Sequence, residues 1–485
     1  MLRPSSCYRS LPLPALIIAV VLLCWNILLS LLWPLIYLYP PFRGSVALRQ
    51  GRFELGAYDP AKAGLKVLVN AVSAGEVVAI APFIRELAAR VPTVQVALLT
   101  TTASGQTMAR DKLGDVVRLI AYFPLLDLSW IVRRYLDRLR PDVYITTEAE
   151  LWPNIQSQCR ARRIPVALVN ARLYLHNKRG LRGAIVRRLY SLCDLIVCQD
   201  ERQQGNFRKF GIAADGLAVS GNTKFDFELP EWDAAKLAAE KARFGLGDGP
   251  SAGATGRSPA SAGRGVVTGA AIDGGTEAAA TQDAGGSPAP LLITAGSTHE
   301  GEEELLLGAL SELRRQWPKL RLCLAPRHVE RAAAVAQLAA QAGYVALRLD
   351  EHRPGAAWDV LVINRYGVLT DFYRLADLVV LGGSFSPKVG GHNILEATAL
   401  GKPVIVGPST FGIMSQLELL QAVDGMVQVP GSAALAQAAS SLLADKARAM
   451  AIGKAAQAAT LANRGSARRA VDAVLALRDA RSSGI

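Results

Sequence analysis

Short β-branched runs alternate with helix-patterned stretches along most of this chain, and that alternation admits few folds. Val67–Asn70, Val94–Thr100, Val143–Thr147, Val166–Asn170 and Leu195–Cys198 read as strands, with helical sequence such as Val77–Arg90 between them. Strands joined through helices run parallel, in a sheet covered on both faces. The pattern stops at residues 247–289, where Gly, Ala, Ser, Thr and Pro dominate. Such a stretch buries too little apolar surface to offset its ordering entropy, so a disordered insertion is expected there. Alternation resumes with Leu291–Ala295, Leu320–Ala325, Val360–Ile363, Leu378–Leu381 and Pro403–Val406, with Glu302–Trp317 and Val329–Gln341 helical between them and Ala433–Arg481 closing the chain in Ala-rich helices. The expected fold class is α/β: two parallel-sheet, Rossmann-like domains facing a cleft along the carboxyl ends of their strands, where open α/β sheets bind ligands.

Ahead of this lies Leu11–Tyr39, apolar apart from Asn26, Ser30 and prolines. It is long enough to cross a hydrocarbon layer of roughly 30 Å. No small-residue cleavage site is obvious, so it is expected to be a retained membrane anchor helix; basic residues on both sides leave its orientation open. The expected layout is an anchor over 1–42, an N-terminal domain over 43–246, the insertion over 247–289, a C-terminal domain over 290–450 and a closing helix over 451–485.

Of a formal net charge of +13, residues 1–246 carry +12. Between Leu151 and Cys193 there is no acidic residue but there are nine basic ones, among them Arg160, Arg162, Arg163 and Arg172. On charge alone the partner is nucleic acid, an anionic membrane surface or a phosphorylated substrate, or the basic stretch is simply a solvated face; nucleic acid gives way to anionic lipid only on the resemblance of the motifs to a known family. The six cysteines lack zinc-ligand spacing and scaffold density, reading as reduced thiols of a cytosolic compartment; the five histidines form no i, i+4 pair, so no metal site is expected.

Chemistry-bearing residues sit just beyond strands. Glu76 follows the first strand at the head of a helix; there it suits a general base, and Ser73 with Glu76 equally reads as a capping box. Glu148 and Glu150 lie beyond Val143–Thr147, on one face if that segment stays extended. Lys224, in Gly221-Asn222-Thr223-Lys224, suits neutralisation of a leaving phosphate. In the second half, Gly296-Ser297-Thr298-His299 runs into Glu300, Glu302, Glu303 and Glu304, acids that suit a helix start and repel phosphate. Arg327 ends a strand with a guanidinium able to grip phosphate, and Gly390-Gly391-His392-Asn393 leads to Glu396, where a ribose contact or a cap are both open. Neither a Walker pattern nor G-x-G-x-x-G after the first strand nor an Asp-x-Asp pair is present.

Ser73-x-Gly75-Glu76, Glu148-x-Glu150-Leu151-Trp152-Pro153-Asn154, Asn170-Ala171-Arg172-Leu173, Gly221-Asn222-x-Lys224-Phe225-Asp226, Pro326-Arg327-His328 and Gly390-Gly391-His392-Asn393-x-x-Glu396, in this order, resemble the bacterial Kdo transferases, which attach 3-deoxy-D-manno-octulosonic acid to the lipid A precursor. The resemblance implies a GT-B glycosyltransferase of the bacterial inner membrane, with its domains on the cytoplasmic side. It implies an inverting transfer of Kdo from CMP-Kdo to a hydroxyl of lipid IVA, the tetra-acylated precursor, without metal or other cofactor. Glu76 becomes the base and Glu148 with Lys224 the transition-state pair. Pro326, Arg327, Tyr366, Gly367, Val368, Asn393, Ile394, Leu395 and Glu396 become the CMP contacts. The chain departs from the family at Asn70, usually His, at Gly367-Val368, usually Gly-Glu, and at Gly407-Pro408-Ser409, usually Gly-Pro-His. Alternatives are another GT-B transferase or nucleotide-sugar epimerase, or a membrane-tethered CMP-binding protein without catalysis.

Overall fold

The computed structural model describes residues 26–28, 30–31, 45–173, 180–247 and 289–482. The expected insertion lies outside the described residues, as does almost all of the expected anchor. No helix among the described residues is long and apolar enough to cross a membrane.

The chain divides into two units, residues 1–227 with 463–485, and residues 228–462. The first holds seven strands, β1 (Lys66–Asn70), β2 (Gln95–Thr100), β3 (Leu119–Tyr122), β4 (Val143–Thr147), β5 (Val166–Ala171), β6 (Leu195–Cys198) and β7 (Leu217–Val219). They are all parallel in the order β3-β2-β1-β4-β5-β6-β7. Along β1, Val67 and Val69 enter one apolar core and Leu68 the other, so the strand is buried on both faces and reads as an unbroken apolar run. Helix α1 (Ala74–Arg90) lies on the first of these faces, through Val77, Ile80, Phe83, Ile84 and Leu87.

The second unit repeats the plan with β8 (Leu292–Thr298), β9 (Arg321–Pro326), β10 (Ala346–Arg348), β11 (Val360–Val362), β12 (Leu378–Leu381), β13 (Val404–Val406) and β14 (Val427–Gln428). Their order is β10-β11-β9-β8-β12-β13-β14, again all parallel. Helix α2 (Glu302–Leu313) follows β8. In both sheets the order reverses beside the first strand, between β1 and β4 and between β8 and β12. Loops leaving such a pair diverge to opposite faces and open a crevice at the carboxyl ends.

Two boundaries differ from the sequence expectation. The units divide at Phe227/Glu228 rather than at 246, because Phe244 and Leu246 pack into the second unit's core with Leu292 and Cys323. The C-terminal stretch is three helices, of which Lys446–Ala462 stays with the second unit while α3 (Ser466–Ser482) belongs to the first. Ala470, Val471 and Val474 enter the core beside β1, and the Asp226 carboxylate accepts from the N–H groups of Gly465 and Ala467, both at 2.5 Å, at the start of α3. Cys159, Cys193, Cys198 and Cys323 are free thiols, as expected.

Gly296 in β8 faces the buried Tyr373, and a Cβ there would fall inside the radius of its hydroxyl. Gly296→Ala should cost about 1–3 kcal/mol by overpacking and lower the melting temperature by about 2–4 °C per kcal/mol in calorimetry. Gly308→Ala, on an exposed face of α2 with open space around it, should be neutral or slightly stabilising.

Candidate functional site

At the β1/β4 reversal, α1 begins with Ser73, whose hydroxyl accepts from the Glu76 N–H at 3.4 Å. The Glu76 carboxylate turns back and accepts from the Val72 N–H at 2.7 Å and the Thr147 hydroxyl at 3.1 Å. Capping and base readings therefore coexist in one side chain. Burial outweighs these hydrogen bonds and, with the nearby Glu148 charge, raises the Glu76 pKa above the usual carboxylate value. A carboxylate so placed keeps proton affinity while remaining tied to the helix start.

Glu148 does not continue the strand. It takes a left-handed backbone, φ 53°, and its side chain is buried. Extended alternation is thus not what aligns Glu148 with Glu150. Glu148 instead receives Arg172 Nη2 at 2.6 Å on one oxygen and Lys224 Nζ at 2.8 Å on the other. Lys224 is held by its loop: Asn170, itself at φ 58°, accepts from the Thr223 N–H at 3.1 Å, Thr223 donates its hydroxyl to the Ala79 carbonyl at 2.5 Å, and Asn222 accepts from the Lys224 N–H at 3.0 Å. Glu150, pushed up to about 7 by burial and then by the Glu76 charge, is a second proton-holding group at this crevice.

The structure brings Glu76, Glu148 and Lys224 into one crevice; the sequence reading counted Arg172 only among the basic residues expected near anionic lipid and left Glu150 out of the catalytic set. Their signal was the motif positions alone. Arg172 is engaged by Glu148 and Arg162 by Asp137 at 3.1 Å, so these two members of the basic stretch are held by the protein's own acids. Asn70 is fully buried, and its side-chain amide has no protein partner among the described residues.

In the second unit, Pro326 ends β9 and the Arg327 N–H donates to the Thr298 carbonyl at 2.9 Å, leaving the guanidinium in an exposed residue. Glu396 accepts from the Thr370 hydroxyl at 2.8 Å and the Asn393 amide at 3.3 Å, which joins the Asn393–Glu396 turn to the helix Leu369–Leu375 begun at Val368. Ile394 and Leu395 are fully buried, and the Leu395 N–H donates to the Asn393 side chain at 3.1 Å. Tyr366 is 64% exposed and Gly367 has φ 84°. The acids heading α2 are not a phosphate-repelling face throughout: Glu302 and Glu303 are buried and engaged, Glu303 by Arg331 and the Thr298 hydroxyl, both at 2.9 Å. Among the described residues no cluster of three His, Cys, Asp or Glu is arranged to hold a metal ion.

Two family models match the chain. One, described as 3-Deoxy-D-manno-octulosonic-acid transferase (kdotransferase), covers residues 48–227, and the other, Glycosyl transferases group 1, covers 345–459. With two parallel-sheet α/β units, these define a glycosyltransferase. A 3-deoxy-D-manno-octulosonic acid transferase of Bordetella pertussis is 32% identical over 429 residues, 86% of this chain and 89% of that protein. One of Haemophilus influenzae is 28% identical over 458 residues, covering 94% and 96%. The chain belongs to the 3-deoxy-D-manno-octulosonic acid (Kdo) transferase family. A UDP-GlcNAc 2-epimerase from Neisseria meningitidis bound to UDP-GlcNAc, with TM-score 0.53 and 16% identity over 85% of this chain and 100% of its own, shares the fold alone.

Thr147→Val removes a donor to the ionised Glu76, so the protonated form gains and the pKa rises. Carboxyl carbon chemical shifts of labelled glutamate, titrated in wild type and variant, measure it; an unchanged or lower value would contradict the assignment.

Proposed function

We propose that the chain transfers Kdo from CMP-Kdo to a hydroxyl of lipid IVA, the tetra-acylated lipid A precursor, with inversion at the anomeric carbon. The observation that carries this reading is Glu76: a half-buried carboxylate at the strand reversal, with raised proton affinity, beside the Arg172–Glu148–Lys224 bridge. The acceptor hydroxyl forms its bond to the anomeric carbon while its proton passes to Glu76. The bond from that carbon to the CMP phosphate oxygen breaks, its electron pair leaving with the phosphate. Glu148 fixes Lys224 and Arg172 in place beside Glu76, and Glu148 with Lys224 is the pair assigned to support the transition state. Donor binding is assigned to Pro326, Arg327, Tyr366, Gly367, Val368 and the Asn393–Glu396 turn. No metal is invoked: the leaving group is a monophosphate, the sequence lacks an Asp-x-Asp pair, and protein cations meet the charge.

The apolar Leu11–Tyr39 stretch supports an N-terminal anchor in the bacterial inner membrane, with the catalytic units on the cytoplasmic side and the remaining basic residues near anionic headgroups. Such an anchor keeps a lipid acceptor within reach of a water-soluble donor.

Glu76→Gln keeps an acceptor oxygen for the cap but no proton affinity. Transfer to lipid IVA, followed by mass spectrometry of the product, should fall by about 10²–10⁴-fold, with CMP binding retained. Turnover near wild type would remove Glu76 from the base role.

A further inference from the structure

Three of the chain's five histidines meet at the carboxyl ends of β8, β9 and β12. His299 follows β8, His328 follows β9 and His392 lies in the loop after β12. The His299 and His392 rings lie end to end, their centroids 5.0 Å apart and their planes 8° from parallel, with their Nε2 atoms 2.7 Å from each other, and His328 meets His299 edge-on at 6.0 Å.

The backbone holds this pair together. Glu302 accepts from the His299 N–H at 2.9 Å, the Gly383 N–H at 2.7 Å and the Phe385 N–H at 2.9 Å, bracing the loop after β8 against the loop after β12. Gly391 N–H donates to the Gly383 carbonyl at 2.9 Å, and Gly383, at φ 73°, leaves no room for a Cβ beside the His392 ring.

An Nε2–Nε2 hydrogen bond needs one ring to donate and the other to accept, so the neutral pair has one Nδ1–H and one bare Nδ1. Adding a proton turns the second Nδ1 into a donor and gives the pair a positive charge, without breaking the ring-to-ring bond. Arg327 and His328 face the pair from the β9 loop, Arg331 from the turn Val329–Arg331, and Glu302 and Glu303 from α2. Both acids are engaged elsewhere, by backbone N–H groups and by Arg331. Burial and the neighbouring positive groups push His392 down to about 4, so the pair is neutral near pH 7. An oxyanion arriving beside it reverses the sign of the nearest charge and favours the protonated form.

We propose that the His299–His392 pair is an anion subsite that takes up a proton when an oxyanion of the donor, phosphate or sugar carboxylate, binds. The inference rests on the CMP-Kdo reading and deepens it, for neither histidine was among the expected CMP contacts.

Calorimetric titration of the full chain with CMP in buffers of different ionisation enthalpy, near pH 7.5, tests it. Phosphate monoesters, with a second pKa near 6, are already dianions there. Wild type should take up about one proton per CMP and lose affinity by up to about tenfold per pH unit above pH 7. Cytidine, lacking phosphate, should bind with no uptake. His392→Gln and His299→Gln, each checked for folding by circular dichroism, should both bind CMP without uptake and with flattened pH dependence. Uptake with free Kdo but not with CMP would support the subsite and assign it to the carboxylate. CMP binding with no uptake from either anion, or uptake unchanged in both variants, would overturn the pair's role alone. Absence of any CMP or CMP-Kdo binding by wild type would overturn the donor reading itself.

Discussion

Both halves of this protein depend on one constraint: a parallel sheet buried on both faces has its free backbone groups at its ends, and where the strand order reverses, the connecting loops part. In the first unit that point falls between β1 and β4, with Glu76 in the first turn of the helix that follows β1 and Glu148 on the loop that follows β4. In the second it falls between β8 and β12, and His299 and His392 stand on the corresponding loops. The same geometry thus presents two crevices with different chemistry.

What differs is how charge is managed out of water. The first crevice gathers three carboxylates, and two cations are both committed to Glu148. Among the described residues no cation bridges Glu76 or Glu150, and both are raised by burial, Glu150 to about 7. Carboxylates raised this way have more proton affinity than a structural ion pair supplies, and a base needs it. Glu148 holds its bridge from a left-handed backbone, a conformation that costs of order 1–3 kcal/mol and persists because both oxygens and the following backbone are pinned.

Much of this was legible in the sequence because central strands are buried on both faces. The ten strands read from apolar runs are the interior ones, such as Val67–Asn70 and Leu378–Leu381. The four that were missed, β3, β7, β10 and β14, are the sheet edges. They are short, two to four residues, and β10 is only half-buried throughout, so each gives a weaker signal than a central strand. The return of α3 to the first unit was likewise hidden, because it rests on Asp226 accepting from Gly465 and Ala467 across more than two hundred residues of chain. Glu76 was found because a helix start after a strand is a local pattern. The roles of Arg172 and Glu150 are properties of three loops meeting, which no local window contains.

The two crevices also divide the charge of the proposed reaction. An acceptor hydroxyl must lose a proton and a phosphate must leave with an extra negative charge, so one site has to gain a proton and the other has to meet an anion. The first unit answers with carboxylates of raised proton affinity. The second answers with Arg327 and a histidine pair kept neutral by burial and by surrounding positive groups. A permanently charged pair would hold the product phosphate as firmly as the donor, slowing release, whereas a pair that is charged only while an anion is present returns its proton to solvent when the anion goes. Proton-linked recognition therefore suits a transferase that must discharge a dianionic leaving group every turnover.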